Sequence, residues 1–334
     1  MKGQTIFFKE PVPITYTSAI AGPKEGEGPL QRYFDYVMKD DILGQKSHEE
    51  AEIMMQLQSI KNVMNKARVD ISQIDCVFAG DLLDEIIGCN FAMRDLDIPF
   101  LGLYNACATF GEALIMGAAM IDAGYMNRVI CSTTSHFATA ERQYRFPLEL
   151  GSQRTPLSQW TVTGAACSML EKGGSSDIKI TAGTIGKVMD YGVTDANDMG
   201  AVMAPAAMDT IVAHLNDTGR DVNYYDLIVT GDLGHAGSRL LQTIIMKEHG
   251  ILLDKNYSDC GILIYNREAQ DVGQGGSGAC CSNLVFNSYI IDQMQKGIIK
   301  KLLLVPTGAL LSKISSLQGE TIPSIAHAVS IEVM

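Results

Sequence analysis

The sequence has little positive charge, a single tryptophan and no uninterrupted apolar run as long as a membrane helix. Its 26 lysines and arginines face 38 aspartates and glutamates, which gives a formal net charge of -12. Nucleic-acid binding needs a basic patch or stripe, so we expect no nucleic-acid partner. A membrane helix needs about 18 or more apolar residues in succession, so we expect any membrane association to be peripheral.

The cysteines are scattered and form no C-x-x-C pair. Structural zinc sites and disulfide frameworks rely on regular spacing, so neither is expected. Most of the cysteines lie within apolar runs, which predicts buried, reduced thiols. The glycine-rich run over 273–278 lacks the Gly-Lys-Ser/Thr ending of a phosphate-binding loop. We therefore expect neither nucleotide binding nor a resident cofactor.

Apolar runs bounded by glycine or aspartate alternate with helical patterns along the chain, which is typical of an α/β protein. Ser47 followed by Glu50 forms a capping box, which predicts a helix over 47–67. A further helix is predicted directly after Cys107. The other predicted helices cover 201–217, 238–249 and 282–296, and the predicted strands cover 74–84, 128–135, 161–170, 225–234, 259–266 and 301–311.

The second part of the chain repeats the first. The tripeptide Gly-Asp-Leu lies near the end of a predicted strand at 80–82 and again at 231–233. The segment NACATF…DAGYMNRVICSTTS aligns without a gap with GACCSN…QKGIIKKLLLVPTG, so that Cys107 matches Cys280. Because a βαβ-type half cannot cover its own inner helix alone, the repeat predicts two halves packed together.

The predicted halves cover residues 1–175 and 176–334. Their matched helices, which follow Cys107 and Cys280, are expected to lie between two mostly parallel sheets. Gly117 and the alanines beside it are expected to let these two helices approach closely.

Long motifs spread over nearly the whole chain resemble one known family. They are AGPKEGEGPL, AGDLL, TSHFATAERQYRFP, TVTGAA, DMGAVMAPAAMDTI, TGDLG, DCGILIY, GGSGACCS, TGALLS and IPSIAHAV. With a cysteine in N-A-C-x-T at the start of a buried helix, they resemble the stage V sporulation protein AD family of endospore-forming bacteria. That family has a thiolase-like fold, so the resemblance implies a duplicated five-layer α/β/α/β/α architecture and a homodimer.

The resemblance also implies a ligand and partners. It implies binding of dipicolinic acid (pyridine-2,6-dicarboxylate), with calcium as part of a bound chelate. It further implies that the protein works with membrane proteins of the same sporulation operon to move the acid into the developing spore. The implied location is peripheral to the forespore or spore inner membrane. A negative net charge favours the calcium-accompanied form of the ligand.

Cys107 lies between a predicted apolar strand and a long predicted helix. Backbone N–H groups at the start of a helix lower the pKa of a nearby thiol. Enzymes with the thiolase-like fold need two more groups from the second half, a histidine with an asparagine or with a second cysteine. His235 lies near the expected histidine, but Gly276, with no side-chain donor or base, occupies the other position. We therefore predict a vestigial nucleophile and no catalysis. An acyl-CoA-dependent thiolase or ketosynthase is the alternative, and a scaffold for channel proteins is a third interpretation.

The two carboxylates of the implied ligand require cationic donors. Arg142 and Arg145 are three residues apart and share a face in a helical turn, although Glu141 is placed to pair with Arg145 instead. His136 follows a strand end, where ligand sites of α/β proteins collect. Asp81 either caps the loop after its strand or faces the pocket, where it would hold calcium or a protonated ring nitrogen. The predicted ligand-binding set is Cys107, Asp81, His136, Arg142, Arg145 and Thr109.

Overall fold

Strands and helices alternate along the chain in the computed structural model, which describes residues 3–145, 148–151 and 153–334. The strands are β1 (Thr5–Ala21), β2 (Tyr36–Val37), β3 (Cys76–Gly80), β4 (Phe100–Gly102), β5 (Arg128–Ser135), β6 (Trp160–Thr161), β7 (Gly164–Glu171), β8 (Ile178–Thr184), β9 (Leu227–Thr230), β10 (Tyr257–Asp259), β11 (Gly276–Ser277), β12 (Lys301–Val305), β13 (Thr307–Ala309), β14 (Ser324–Ala326) and β15 (Ala328–Val333).

The helices cover both halves of the chain. They are α1 (Pro23–Gly26), α2 (His48–Ala67), α3 (Ile87–Leu96), α4 (Thr109–Asp122), α5 (Phe137–Tyr144), α6 (Met199–Thr218), α7 (Gly234–His249), α8 (Cys260–Leu263), α9 (Cys281–Val285), α10 (Ile291–Gln295) and α11 (Lys313–Leu317). A π-helical turn, Phe286–Ile290, joins α9 to α10, so the two form one continuous helical segment.

One long sheet connects the two halves through its first strand. The strand order is β10-β9-β12-β15-β8-β1-β7-β5-β3-β4, with β2 paired to β1. The start of β1 pairs with β8, from Thr5 to Pro13, and the rest of β1 pairs with β7, from Ile14 to Ala21. Both pairings are antiparallel. Because β1 pairs with a strand of each half, it joins the strands of the first half to those of the second.

The strand order of the first half repeats in the second. The first half reads β4-β3-β5-β7-β1 from the edge inwards, and the second reads β10-β9-β12-β15-β8. The matched helices also end alike, at Gly124 with φ +81° and at Gly297 with φ +70°, a left-handed conformation that glycine adopts without strain. β7 ends at Glu171 and β8 begins at Ile178, so the predicted division between residues 175 and 176 lies between the two strand groups. The exact division of the halves stays a prediction.

Most predicted elements are present. Ser47 accepts a hydrogen bond from the Glu50 N–H and begins α2, as the capping box predicts. The predicted strand over 259–266 is wrong, because Asp259 ends β10 and its carboxylate caps α8 by accepting from the Ile262 N–H. A short apolar run fits a strand and a buried helical turn equally well, so only this cap distinguishes the two.

The helix that follows Cys107 is buried in the core. α4 contacts β1 and β5 of the first half and β8 and β15 of the second. The rings of Phe110 on α4 and Phe286 in the matched helical segment have centroids 5.7 Å apart. Gly117 faces the sheet, not the matched helix, since a Cβ there would lie 2.9 Å from Cys131 Sγ and 3.1 Å from a Val129 methyl. The expected role of Gly117 in helix–helix approach is therefore wrong, and it permits close helix–sheet packing instead.

Among the described residues, no helix combines the length and the apolar character that crossing a lipid bilayer requires.

The packing of Gly117 leads to a stability prediction. We expect Gly117→Val to lower the free energy of unfolding by about 1–3 kcal/mol, because the new methyl groups must displace β5. Met116→Val is the control, since Met116 is 39% exposed on the same helix and its change is expected to stay within about 0.5 kcal/mol. Urea unfolding followed by circular dichroism measures both; equal shifts of the two midpoints would contradict the packing argument.

Candidate functional site

A strained turn presents Cys107 at the start of α4. Ala106 has φ +49°, a left-handed conformation that alanine rarely adopts. The Thr109 hydroxyl holds this turn by donating to the Ala106 carbonyl at 2.7 Å and accepting from the Asn105 N–H at 2.9 Å. Thr109 is thus buried against the backbone and does not line the cavity that Cys107 faces. Its position supports a structural role in place of the predicted ligand contact.

Cys107 faces a small, mostly apolar cavity between the two halves. The cavity volume is about 50 Å³, and a larger groove of about 720 Å³ shares Tyr144 and Leu311 with it. Its polar side chains include the Cys107 thiol, the Ser277 and Thr161 hydroxyls and the Arg145 guanidinium. The full lining is Leu82, Ala106, Cys107, Ala140, Tyr144, Arg145, Thr161, Met199, Met203, Ser277, Gly278, Ala309 and Leu311.

A buried carboxylate, Asp232, lies directly behind the cavity wall. Its Oδ1 accepts a hydrogen bond from the Thr307 hydroxyl at 2.7 Å. Its Oδ2 accepts from the Ser277 hydroxyl at 3.0 Å and from the Gly278 N–H at 3.1 Å. Ser277 Oγ in turn lies 4.0 Å from Cys107 Sγ. Asp232 therefore fixes the glycine-rich loop of the second half, and that loop contacts the helix start of the first.

The buried, negatively charged environment of Cys107 makes it a poor nucleophile. Burial, followed by the charge of Asp232, raises the pKa of the thiol well above its ordinary value. The expectation that the helix start lowers this pKa is wrong, because desolvation and a full negative charge outweigh the partial charge of a helix end. The thiol is protonated over the physiological pH range.

The two predicted arginines lie in different environments. Arg145 lines the cavity and pairs with Glu141, the i,i+4 contact that the sequence offered as an alternative. Its Nε is buried and has no hydrogen-bond partner among the described residues. Arg142 lines the larger groove, where its guanidinium donates to Glu49 at 2.7 Å, and its side chain is 45% exposed.

His136 and Asp81 have structural positions outside the cavity lining. His136 caps α5, accepting from the Ala138 N–H at 3.1 Å, and its other ring nitrogen contacts the Asp41 carbonyl at 2.7 Å. Burial lowers the pKa of His136, so the ring is neutral. Asp81 is fully buried and accepts from backbone N–H groups that follow it in the chain. These bonds correspond to the capping alternative for Asp81.

Neither of the second-half positions considered from sequence faces Cys107. His235 lies at the start of α7 and is absent from the cavity lining, and Gly276 pairs with Trp160 between β11 and β6. Ser277 and Asp232 are the second-half side chains that reach Cys107, and sequence reasoning did not assign them to the site. The signal for Asp232 was the repeated Gly-Asp-Leu, but the repeat did not tell which of its two aspartates meets the cysteine.

The described residues contain no group of three or more His, Cys, Asp or Glu side chains that could hold a metal ion. All eight cysteines are buried and free. The predicted burial of the thiols is thus confirmed.

Comparisons with known proteins agree with this fold. The family model described as stage V sporulation protein AD matches residues 2–332. Stage V sporulation protein AD of Bacillus subtilis (strain 168) is 42% identical over 329 residues, which is 98% of this chain and 96% of that protein. Enzymes share the fold at much lower identity. The 3-oxoacyl-[acyl-carrier-protein] synthase III of Aquifex aeolicus VF5 superposes with a TM-score of 0.60 at 11% identity, over 96% of this chain and 99% of the other.

A second solved structure, human mitochondrial 3-ketoacyl-CoA thiolase in complex with CoA, has a TM-score of 0.60 at 12% identity and covers 98% of this chain and 99% of its own. At such identity the likeness shows the fold alone, and it confirms the predicted thiolase-like α/β class. The match over nearly the whole length places the chain in the stage V sporulation protein AD family.

Proposed function

We propose that this chain binds dipicolinic acid in the cavity beside Cys107 and supports its uptake into the developing spore. The observation that carries the proposal is the Arg145 guanidinium at the edge of an apolar cavity, with its side chain 14% exposed. Its Nε is buried and lacks a hydrogen-bond partner among the described residues. A buried donor without a partner costs about 1–3 kcal/mol, which a ligand carboxylate would recover.

The lining of the cavity supports a ligand with a flat ring. Met199, Met203 and Leu82 provide flexible and apolar walls on which such a ring can pack.

We further propose that the protein is not an enzyme. Acyl transfer through a cysteine needs a thiolate, and Asp232 with burial keeps the Cys107 thiol protonated. No histidine lines the cavity among the described residues. The alternative is an acyltransferase, and the observation that favours it is that enzymes share the fold. An acyl adduct on Cys107 after incubation with acyl-CoA, detected by mass spectrometry, would favour that alternative.

Calcium and the membrane partners complete the proposal. We propose that calcium arrives with the acid as its chelate, since the described residues provide no metal site of their own. The membrane proteins of the same sporulation operon would form the path, with this chain peripheral to the forespore or spore inner membrane. The name of the Bacillus subtilis relative, a stage V sporulation protein, supports the sporulation context.

We propose that the homodimer forms through the edge of the sheet. β4 is the outermost strand of the first half, and Leu101 on it is 44% exposed. An open edge strand can pair with the same strand of a second copy around a two-fold axis.

Ligand affinity should depend on Arg145 and not on Arg142. We expect Arg145→Gln to raise the Kd for dipicolinic acid roughly 10- to 100-fold, because a charge-assisted hydrogen bond is lost. Arg142→Gln removes the same charge outside the cavity and should change the Kd less than about threefold. Calorimetry with and without calcium measures both variants; equal losses would argue against this cavity.

The reactivity of Cys107 should increase when Asp232 loses its charge. Removing a negative charge beside a thiolate lowers the pKa of the thiol, so Asp232→Asn should speed alkylation by iodoacetamide about tenfold for each pKa unit. Mass spectrometry after timed labelling between pH 7 and pH 10 reads Cys107 alone. Asp254→Asn, at an exposed position, controls for net charge. An unchanged rate in the Asp232 variant would show that Asp232 does not hold the thiol protonated.

The sheet edge should control the oligomeric state. We expect the wild-type chain to be a dimer by light scattering and Leu101→Lys to be largely monomeric, because a charge at the edge strand opposes pairing. Leu252→Lys is the control, since Leu252 is 61% exposed elsewhere on the surface. A monomeric wild-type chain at micromolar concentration would remove the basis for the dimer.

A further inference from the structure

The hydrogen bonds around Asp232 all run in one direction, with the Asp232 carboxylate as the acceptor. The Gly278 N–H can only donate, and it donates to Asp232 Oδ2. Together with the hydroxyls of Thr307 and Ser277, the groups around the carboxylate act as donors. An ionised carboxylate has about four acceptor sites and no hydrogen of its own, so it suits such a set of donors.

This direction determines what Ser277 and Cys107 offer to the cavity. Ser277 has one hydroxyl hydrogen, which it directs to Asp232 at 3.0 Å, so its oxygen faces the cavity with lone pairs only. Cys107 Sγ lies 4.0 Å from Ser277 Oγ. Because the Ser277 hydrogen is already used, the thiol is the donor in that contact, and its sulfur then has only lone pairs left for the cavity. The wall formed by these two side chains therefore offers acceptors and no donor.

Arg145 has the opposite character. A guanidinium donates and never accepts, and Arg145 Nε has no partner among the described residues. The Thr161 hydroxyl can donate or accept and sets no direction, and the Tyr144 hydroxyl donates to the Leu82 carbonyl. The cavity thus has one group that requires an acceptor and a separate pair that requires a donor.

We propose that the cavity selects a ligand that carries one ionised carboxylate and, at a separate position, one hydrogen-bond donor. Arg145 binds the carboxylate, and Ser277 with Cys107 accepts from the donor. This inference rests on the proposed function, and for dipicolinic acid it means that the monoprotonated anion binds. A second ionised carboxylate against Ser277 and Cys107 would meet lone pairs and the buried charge of Asp232.

The proton comes from solvent, because both carboxyl groups of the free acid are ionised above about pH 6. Binding should therefore take up one proton for each ligand. The titratable groups at the cavity are Cys107, Tyr144, Arg145, its partner Glu141 and Asp232. The lining residues contributed by α6 and by 309–311 carry no titratable group, so the carboxylates of Asp232 and Glu141 are the competing proton acceptors that the experiment must separate from the ligand.

Calorimetry on the full chain at pH 6, 7 and 8, in two buffers of different ionisation enthalpy, measures both affinity and proton uptake. For dipicolinic acid we expect one proton taken up and a Kd that rises about tenfold for each pH unit. The monoamide, 6-carbamoylpyridine-2-carboxylate, has a neutral donor in place of the second carboxyl. It should bind without proton uptake and at least about tenfold more tightly than pyridine-2-carboxylate, which lacks the donor.

The Asp232→Asn variant tests the cause. The amide of the new side chain can donate to Ser277, which frees the Ser277 hydrogen to face the cavity. We expect this variant to bind dipicolinic acid with no proton uptake and a Kd nearly independent of pH, with its circular dichroism and melting curve as the control for folding.

The possible failures are distinct. Binding of dipicolinic acid by the wild type without proton uptake, or a monoamide no tighter than pyridine-2-carboxylate, would overturn the inference and leave the proposed function standing. Proton uptake with the monoamide as well would identify a carboxylate of the protein, Asp232 or Glu141, as the group that is protonated and would also overturn the inference. The absence of saturable heat with dipicolinic acid and with the monoamide at all three pH values would refute the proposed function itself.

Discussion

A single buried carboxylate, Asp232, fixes the second-half wall of the site. Removing such a group from water costs several kcal/mol unless donors surround it. Its donors are Thr307 in β13 and Ser277 and Gly278 in the glycine-rich loop, and Ser277 Oγ in turn lies 4.0 Å from Cys107 Sγ of the other half. The shape of the cavity therefore depends on contacts that form only when both halves have folded against each other.

The first half contains the corresponding aspartate in a different role. Asp81 also follows a buried strand, but it accepts from backbone N–H groups of its own half, those of Leu83 and Cys89. One aspartate thus closes a loop beside its own strand, and the other binds the Ser277 hydroxyl that contacts Cys107 of the opposite half. A duplicated sequence shows that two such aspartates exist, but their different roles follow from the packing of the halves, which a single sequence does not display.

Much of the fold could be predicted, because it depends on local patterns. Alternating strands and helices, the Ser47 cap and the repeat all lie in the printed sequence. The strand predicted over 259–266 failed because the side chain of Asp259 caps a helical turn, and apolar periodicity carries no information on such a cap.

The arginines show why the site was harder to predict than the fold. Spacing of three places Arg142 and Arg145 on one helix face, yet α5 ends at Tyr144. Arg145 has φ -126° and ψ -102°, which are not helical, so its side chain turns into the cavity while Arg142 stays on the helix surface beside Glu49. Where a helix ends is the least predictable feature of a sequence, and in this chain it separates a cavity residue from a surface residue.

The relative strengths of two electrostatic effects explain why a thiol at a helix start need not be a nucleophile. A helix N-terminus acts as about half a positive charge and contributes roughly 0.3–1 kcal/mol to an adjacent anion. A full negative charge a few ångströms away in a poorly hydrated site acts more strongly, on the order of several kcal/mol. Burial, followed by the charge of Asp232, therefore leaves Cys107 with its proton. A histidine or asparagine in the position of Asp232 would have acted in the opposite direction or not at all. Whether the thiol at the start of this buried helix can ionise is thus decided by its burial and by the charge that the second half places against it.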